Sequence, residues 1–112
     1  MPRFLVSIHH PLNYNPSESE SDQMRQEIDD LNDEMVAAGV RLFVGGLYSA
    51  NEAVSLLPSE NGVERVNGPY LQSKENIGGL WVLEVADKDE ALSWAEKAAK
   101  ACRVPVEVRQ FH

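Results

Sequence analysis

The sequence predicts a single α+β domain over residues 1–112, of the ferredoxin-like split βαβ type, with an inserted β-hairpin and an antiparallel sheet. Three observations lead to this fold class. Apolar residues alternate near both ends of the chain, two segments have apolar residues at helical spacing, and an Asn-Gly turn lies midway. The predicted order is β-α-β, a hairpin, then β-α-β again. With 43% hydrophobic and 25% charged residues, the chain suits one compact core.

The first strand is predicted near the N-terminus, where polarity alternates with the two-residue period of a strand. One face carries Phe4, Val6 and Ile8, and the other carries Leu5, Ser7 and His9. Residues 10–16 contain two prolines and two asparagines, which interrupt both helices and sheets. We therefore expect a loop after the first strand.

The first helix is predicted from Ser17 to about Ala38. Ser17 and Glu20 have the spacing of a capping box, and Gly39 supplies the left-handed residue that commonly follows a helix. Between these ends, apolar residues recur at steps of four, three and four residues: Met24, Ile28, Leu31 and Met35. The predicted helix is therefore amphipathic.

A second strand and a hairpin are predicted next. Residues 40–47 are rich in strand-forming types, and two short segments, 53–57 and 63–67, flank the turn-forming pair Asn61-Gly62. We expect this hairpin at an edge of the sheet. The pairs Gly45-Gly46 and Gly78-Gly79 lack the spacing of a phosphate-binding loop, so we interpret them as bends or close strand contacts.

The last third of the chain predicts a strand, a helix and a strand. Residues 80–85 are apolar at nearly every position, which is typical of a central strand. Asp87 and Glu90 repeat the capping-box spacing, and small residues then mark one closely packed helical face. Residues 104–108 alternate valine with other types and predict the final strand.

Both faces of the predicted central strand are apolar. Trp81, Leu83 and Val85 share one face, and Leu80 and Val82 share the other with Glu84. A single layer of helices covers only one side of a sheet, so the other side needs a second cover. We therefore expect a homodimer in which two sheets face each other.

The charge pattern argues against nucleic acid as a partner. The chain carries a formal net charge of −8, and residues 17–35 alone contain eight acidic residues against one basic residue. Such a surface repels phosphate backbones. We interpret it as a solvated helix face, with docking of a basic partner as the alternative.

The cysteine content and the N-terminus indicate a cytoplasmic protein without a membrane segment. The single Cys102 cannot form an intrachain disulfide, and near the end of a helix it is expected to be a buried small hydrophobe. The apolar N-terminal run is too short for a signal peptide or a spanning helix. No zinc-type spacing of cysteine and histidine is present, so we expect neither a metal nor another cofactor.

Several motifs resemble one known family. Residues 67–75 read Asn-Gly-Pro-Tyr-Leu-Gln-Ser-Lys-Glu, a Gly-Gly pair precedes the central strand, and residues 87–92 read Asp-Lys-Asp-Glu-Ala-Leu. With these motifs nearly the whole chain is similar to the YCII-related family, in its DGPF-domain branch. The resemblance implies a ferredoxin-like fold that dimerises into an α+β barrel. It also implies an association with extracytoplasmic-function sigma factors, which here would run through protein contacts.

Three positions depart from what the resemblance implies. The family signature has an Asp before Gly-Pro and an acidic residue three positions after the Pro, where this chain has Asn67 and Gln72. Related proteins are thought to use a His-Asp pair, with the His on the first helix, and that position holds Ile28 here. An asparagine can still donate and accept hydrogen bonds, but it is not a general base near neutral pH. We therefore expect this pair to be absent.

Five residues are candidates for ligand binding, and no catalytic residue is assigned. The candidates sit at a strand end, beside a rigid turn or in a loop before the central strand, and each alternatively has a structural or solvent-facing role: His9, His10, Asn67, Tyr70 and Lys74. Lys74 would pair with an anionic ligand, or alternatively with a neighbouring acid.

Two function classes remain open. The favoured one is a non-catalytic domain for small-molecule binding or assembly. The alternative is an enzyme with lyase-like or isomerase-like proton transfer by His9 or His10, acting on a metabolite in a cavity of the dimer.

Overall fold

The computed structural model describes residues 1–112 and confirms the ferredoxin-like α+β fold. Six strands and three α-helices are present, with one turn of 3-10 helix at Ala50–Glu52. The strands are β1 Arg3–Pro11, β2 Arg41–Gly46, β3 Val54–Ser59, β4 Gly62–Asn67, β5 Glu75–Glu84 and β6 Val106–Gln110. The helices are α1 Pro16–Ser19, α2 Asp22–Ala37 and α3 Lys88–Cys102.

Four strands form the main sheet in the order β2-β5-β1-β6, and every neighbouring pair is antiparallel. The two central strands are therefore β1 and β5. The hairpin β3-β4 is a separate two-stranded sheet rather than an edge of the main one. The two strands pair their backbone hydrogen-bonding groups with each other. The long connections before β3 and after β4 place the hairpin away from the main sheet.

One hydrophobic core lies between the main sheet and the two long helices. The sheet contributes Phe4 and Val6 from β1 and Leu83 from β5, as the alternating pattern predicted. The helix α2 contributes Leu31 and Met35. On α3 the buried positions are almost all alanine, so this helix packs closely on the sheet: Ala91, Ala95, Ala98 and Ala101.

The start of the first helical region differs from the sequence prediction. Ser17 and Glu20 do not form a capping box. Asn15 caps the short α1 by accepting from the Ser17 N–H, and Ser21 caps α2 by accepting from the Met24 N–H, each at 3.1 Å. The chain is extended at Glu20 and Ser21, which separates the two helices. Because of this break, the Glu20 carboxylate reaches back to Tyr14 instead of the helix terminus.

The other predicted helix ends are confirmed. Gly39 is left-handed, with φ of 70°, directly after α2 and its C-cap Ala38. The Asp87 carboxylate caps α3 by accepting from the Glu90 N–H at 2.9 Å. Arg103 ends α3 in a left-handed conformation, and its guanidinium donates to Glu27 on α2 at 2.6 Å. This contact joins the two long helices.

The outer face of the sheet has no helical cover. Pairing places Leu5, Phe43, Leu80 and Val82 on this side, opposite the core residues. Phe43 is 51% exposed, and its ring lies over Gly45. This apolar set is referred to below as the outer sheet patch.

Candidate functional site

A cavity of about 760 Å³ lies on the helical side of the sheet, at one end of the domain. Its walls come from the loop between β1 and α1, the first half of α2, and the connection that follows β2. Apolar groups form most of the floor and sides: Ile8, Met24, Ile28, Val44 and Trp81. The sequence analysis places a cavity in the dimer, whereas this one lies within a single chain, on the face of the sheet that the helices cover.

A stack of polar aromatic side chains closes one side of the cavity. The rings of His10 and Tyr14 are parallel within 17°, with 3.8 Å between their centroids. The Tyr14 hydroxyl donates a hydrogen bond of 2.9 Å to Glu20 Oε2. The three side chains, called the His10 cluster below, are all half-buried. The end of β1, the loop of residues 12–15 and the break after α1 bring them together; the loop that the sequence predicts from residue 10 therefore begins two residues later.

Near neutral pH the His10 cluster consists of two uncharged rings and the Glu20 carboxylate. Burial lowers the pKa of His10 below its ordinary 6.5, and the nearby Glu20 carboxylate opposes this shift. Burial and the hydrogen bond to Glu20 raise the pKa of Tyr14 to about 12. Near neutral pH the imidazole is therefore uncharged and the phenol keeps its proton.

A bulge in β5 places Asn76 beside His10. Ile8 pairs with Gly79 and His9 pairs with Ile77, so Gly78 is left over and the alternation of β5 is reset. Asn76 consequently pairs with His10 and shares its face. The Asn76 Nδ2 group is buried and has no hydrogen-bond partner in the chain.

Gly78 also makes room for the His10 ring. A Cβ atom at Gly78 would overlap the imidazole, so a larger residue would displace His10. At Gly79 a Cβ would lie 3.0 Å from the Gly45 backbone oxygen on the neighbouring strand. The interpretation of these glycines as bends and close strand contacts is confirmed.

Trp81 and Asn32 form a fixed part of the cavity wall. Asn32 Oδ1 accepts from Trp81 Nε1 at 2.9 Å and from Arg41 at 3.2 Å, while its amide nitrogen donates to the Ile28 carbonyl at 3.0 Å. The Asn32 amide therefore makes its hydrogen bonds within the protein, and the bond to Trp81 orients the indole.

Cys102 contributes a buried thiol to the cavity lining. Burial, followed by the field of Glu20, raises the pKa of Cys102 to about 11. A thiol in this state is a poor nucleophile near neutral pH. The prediction that Cys102 is a buried small hydrophobe is confirmed.

The five candidate residues do not converge on one site. His10 lines the cavity, but His9 points the other way and lies 3.0 Å from the Ser7 hydroxyl. Asn67 ends β4 and Tyr70 is 73% exposed in the connection that follows, so neither reaches the cavity. Lys74 borders a separate shallow depression of about 490 Å³, and its carbonyl accepts from the Leu12 N–H at 3.0 Å.

Three cavity residues were not predicted from the sequence: Tyr14, Glu20 and Asn76. Tyr14 follows His10 by four positions in a loop, and no regular period predicts a ring stack there. The spacing of Ser17 and Glu20 predicts a capping box that does not form. The face to which Asn76 points depends on the bulge in β5. The Gly78-Gly79 pair indicates an irregularity in the sequence but does not predict which residues it turns toward the cavity.

The positions that depart from the family signature fall into two groups. Ile28 lines the cavity, so an aliphatic side chain stands where the resemblance implies an imidazole. Asn67 and Gln72 lie outside the cavity, and Gln72 donates to the Pro69 carbonyl at 3.2 Å.

Residues 4–110 match the profile of the YCII-related domain, which covers nearly the whole chain. The chain therefore belongs to the YCII-related family. No curated protein matches the sequence. No helix has the length and apolar character needed to cross a bilayer, and no group of three or more metal-binding side chains is close enough to hold an ion.

Proposed function

We propose that this YCII-related domain binds a small organic molecule in the cavity between α2 and the sheet. The observation that carries the proposal is a cavity of about 760 Å³ that combines apolar walls with polar groups at one end. Ligand sites in proteins have this combination, since apolar walls supply affinity and a few polar groups fix orientation. Of the five candidates, His10 is the one supported as a contact in this cavity.

The proposal is tested with a variant that fills the cavity. Ile28→Phe adds volume to the wall, and Leu92→Phe on the exposed part of α3 is the matched control. Compounds from a metabolite library that raise the melting temperature of the wild type should still do so for the control but not for Ile28→Phe. Circular dichroism establishes that each variant is folded. Equal binding by folded Ile28→Phe would contradict the proposal.

Proton transfer is a second candidate function. Its support is the lowered pKa of His10, which leaves an uncharged base facing the cavity. If an identified ligand is converted, His10→Ala should abolish turnover while His9→Ala retains it, because His9 does not line the cavity. Turnover that survives His10→Ala would remove this mechanism.

We further propose that the domain assembles as a homodimer through the outer sheet patch. The support is the apolar character of Leu5, Phe43, Leu80 and Val82 on a face that no helix covers. A second copy presenting the same patch would bury it by sheet-on-sheet packing. In such a dimer the proposed ligand cavity of each subunit lies on the helical face, away from the interface.

A further inference from the structure

We infer that the cavity selects an uncharged, largely apolar molecule with a carbonyl-type oxygen. This oxygen accepts a hydrogen bond from Asn76 Nδ2. The negative charge of Glu20 excludes carboxylates and other anions. This inference rests on the proposed binding function and specifies the class of ligand. It combines two independent observations, one on charge and one on an unpaired hydrogen-bond donor.

The charge of the lining is the first observation. Glu20 is the one acidic residue among the residues that line the cavity, and neither lysine nor arginine lines it. Arg41 donates a hydrogen bond to Asn32 but does not line the cavity, and Lys74 borders the separate depression. An anion in the cavity would therefore meet a carboxylate and no compensating cation. In a half-buried site this repulsion is only partly screened.

Neighbouring groups respond to the same negative field. The Glu20 carboxylate contributes to raising the pKa of both Tyr14 and Cys102, which approach the cavity from different elements. It also favours the protonated form of His10, although burial outweighs it. The field of Glu20 thus reaches across this end of the cavity and would act on a bound ligand.

The unpaired donor is the second observation. Asn76 lines the cavity from β5, and its Nδ2 group is buried and finds no acceptor in the chain, so a rotation of the side-chain amide would bring this donor to a ligand. A buried N–H without a partner is unfavourable, so an acceptor supplied by a ligand would gain more here than at an exposed site. A carbonyl oxygen provides this acceptor without adding the negative charge that Glu20 disfavours.

The apolar walls set the remainder of the ligand. Ile8, Ile28 and Trp81 offer hydrocarbon and aromatic surface, and the Trp81 N–H is already bound by Asn32. The part of the ligand that contacts them therefore gains from burying apolar area rather than from further hydrogen bonds.

An isosteric pair of probes tests the inference: naphthalene-1-carboxamide and naphthalene-1-carboxylate. Binding is followed by ¹H–¹⁵N NMR, using the Trp81 indole N–H and the Asn76 side-chain amide as reporters inside the cavity. At pH 7.5 the carboxamide should bind at least about 10-fold more tightly than the carboxylate.

Two variants separate the two contributions. Glu20→Gln should improve carboxylate binding by at least about 10-fold and change carboxamide binding by less than about 3-fold. The matched control Glu18→Gln, on an exposed residue outside the cavity, should leave both affinities unchanged. Asn76→Ala should weaken carboxamide binding by about 5- to 10-fold, but not binding of 1-methylnaphthalene, which has no acceptor.

Failure of the inference is distinguishable from failure of the binding function. Equal affinities for the two probes, with shifts at Trp81 and Asn76, would overturn the charge selection while supporting the cavity as a binding site. Unchanged selectivity in Glu20→Gln would do the same. Absence of binding by both probes would overturn the ligand class, and the metabolite screen with Ile28→Phe decides the binding function separately.

Discussion

His10 is the side chain whose surroundings define the candidate site. It stacks on Tyr14, occupies the space above Gly78 and pairs across the sheet with Asn76. An uncharged imidazole can donate one hydrogen bond and accept another, so it can recognise a ligand without bringing a charge into the cavity. Its role as base or as binding group depends on the ligand, but its protonation state follows from its position.

We expect an NMR titration of the histidine ring protons to give a His10 pKa below 6.5, because burial disfavours the imidazolium. Glu20→Gln should lower this pKa further, since the carboxylate opposes the effect of burial. Below 6.5 the unfolded chain binds more protons at this residue than the folded one. The free energy of unfolding should therefore fall as the pH drops from 6.5 towards the folded-state pKa, and His10→Gln should remove this contribution.

Glu18→Gln is the control for this titration, and it should leave the His10 pKa unchanged. A His10 pKa at or above 6.5 in the wild type, or a rise in Glu20→Gln, would disagree with the structure.

Some of these side chains could be predicted from the sequence and others could not, for physical reasons. His10 could be proposed because it begins the predicted loop after the first strand, where a histidine is a recognisable candidate. Glu20 was misplaced because Asn15 and Ser21 cap two separate helices where one was expected. Asn76 faces the cavity only because an extra residue in β5 resets the alternation, and the sequence alone does not say on which side of the bulge the strand continues.

Among the elements, the pairing of β1 with β5 builds the cavity floor. Their register is regular from Arg3 to Ile8 and shifts once, next to Gly78. The pairing is therefore regular where the sheet contributes to the core and irregular where it lines the cavity. The same bulge accommodates His10 and turns Asn76 inward. A local irregularity in one strand therefore places two functional candidates.

Gly78→Ala should destabilise the domain by about 1–3 kcal/mol, because its Cβ overlaps the His10 imidazole and the ring must move. Urea denaturation measures the effect, and the ring-proton shifts of His10 report loss of the stack on Tyr14. Adding His10→Ala should recover part of the lost stability, since it removes the overlap.

Gly46→Ala is the matched control for this change. A Cβ there has no neighbour within 4 Å, so we expect a stability change below about 1 kcal/mol. Equal effects at the two glycines would contradict the close packing of His10 on β5.

The elements themselves were largely predictable, and the exceptions depend on tertiary contacts. The long helices, β1 and β6 follow from apolar periodicity, whereas β2 and the second half of β5 follow from runs of strand-forming or apolar residues. The first five residues of β5, Glu75–Gly79, have little strand character of their own and are extended by pairing with β1. The hairpin β3-β4 was predicted from its turn, but its separation from the main sheet was not, because periodicity does not identify the neighbour of a strand.

The whole molecule has two distinct sides. The helical side contains the core and the cavity, and the outer side presents the apolar patch of the sheet. The projecting hairpin makes the domain extended, with dimensions of 49 × 37 × 18 Å and a radius of gyration of 15.9 Å. A compact chain of this length has a radius of about 13 Å. An extended shape with an uncovered apolar face suits a subunit that packs against a second copy.

Sedimentation velocity should show a dimer for the wild type and a monomer for Val82→Lys, because the substitution places a charge at the centre of the outer sheet patch. Glu96→Lys, on the exposed side of α3, introduces a lysine away from this patch and should stay dimeric. A wild-type monomer at all concentrations, or a dimer that persists in folded Val82→Lys, would rule out this interface.

The cavity as the ligand site is tested by a crystal structure of the protein with a compound that raises its melting temperature. We expect density for the compound between α2 and the sheet, with an acceptor oxygen about 2.7–3.2 Å from Asn76 Nδ2 and an apolar body against Ile28 and Trp81. Density for the compound at the Lys74 depression or on the outer sheet patch, with the cavity unoccupied, would contradict the proposed function.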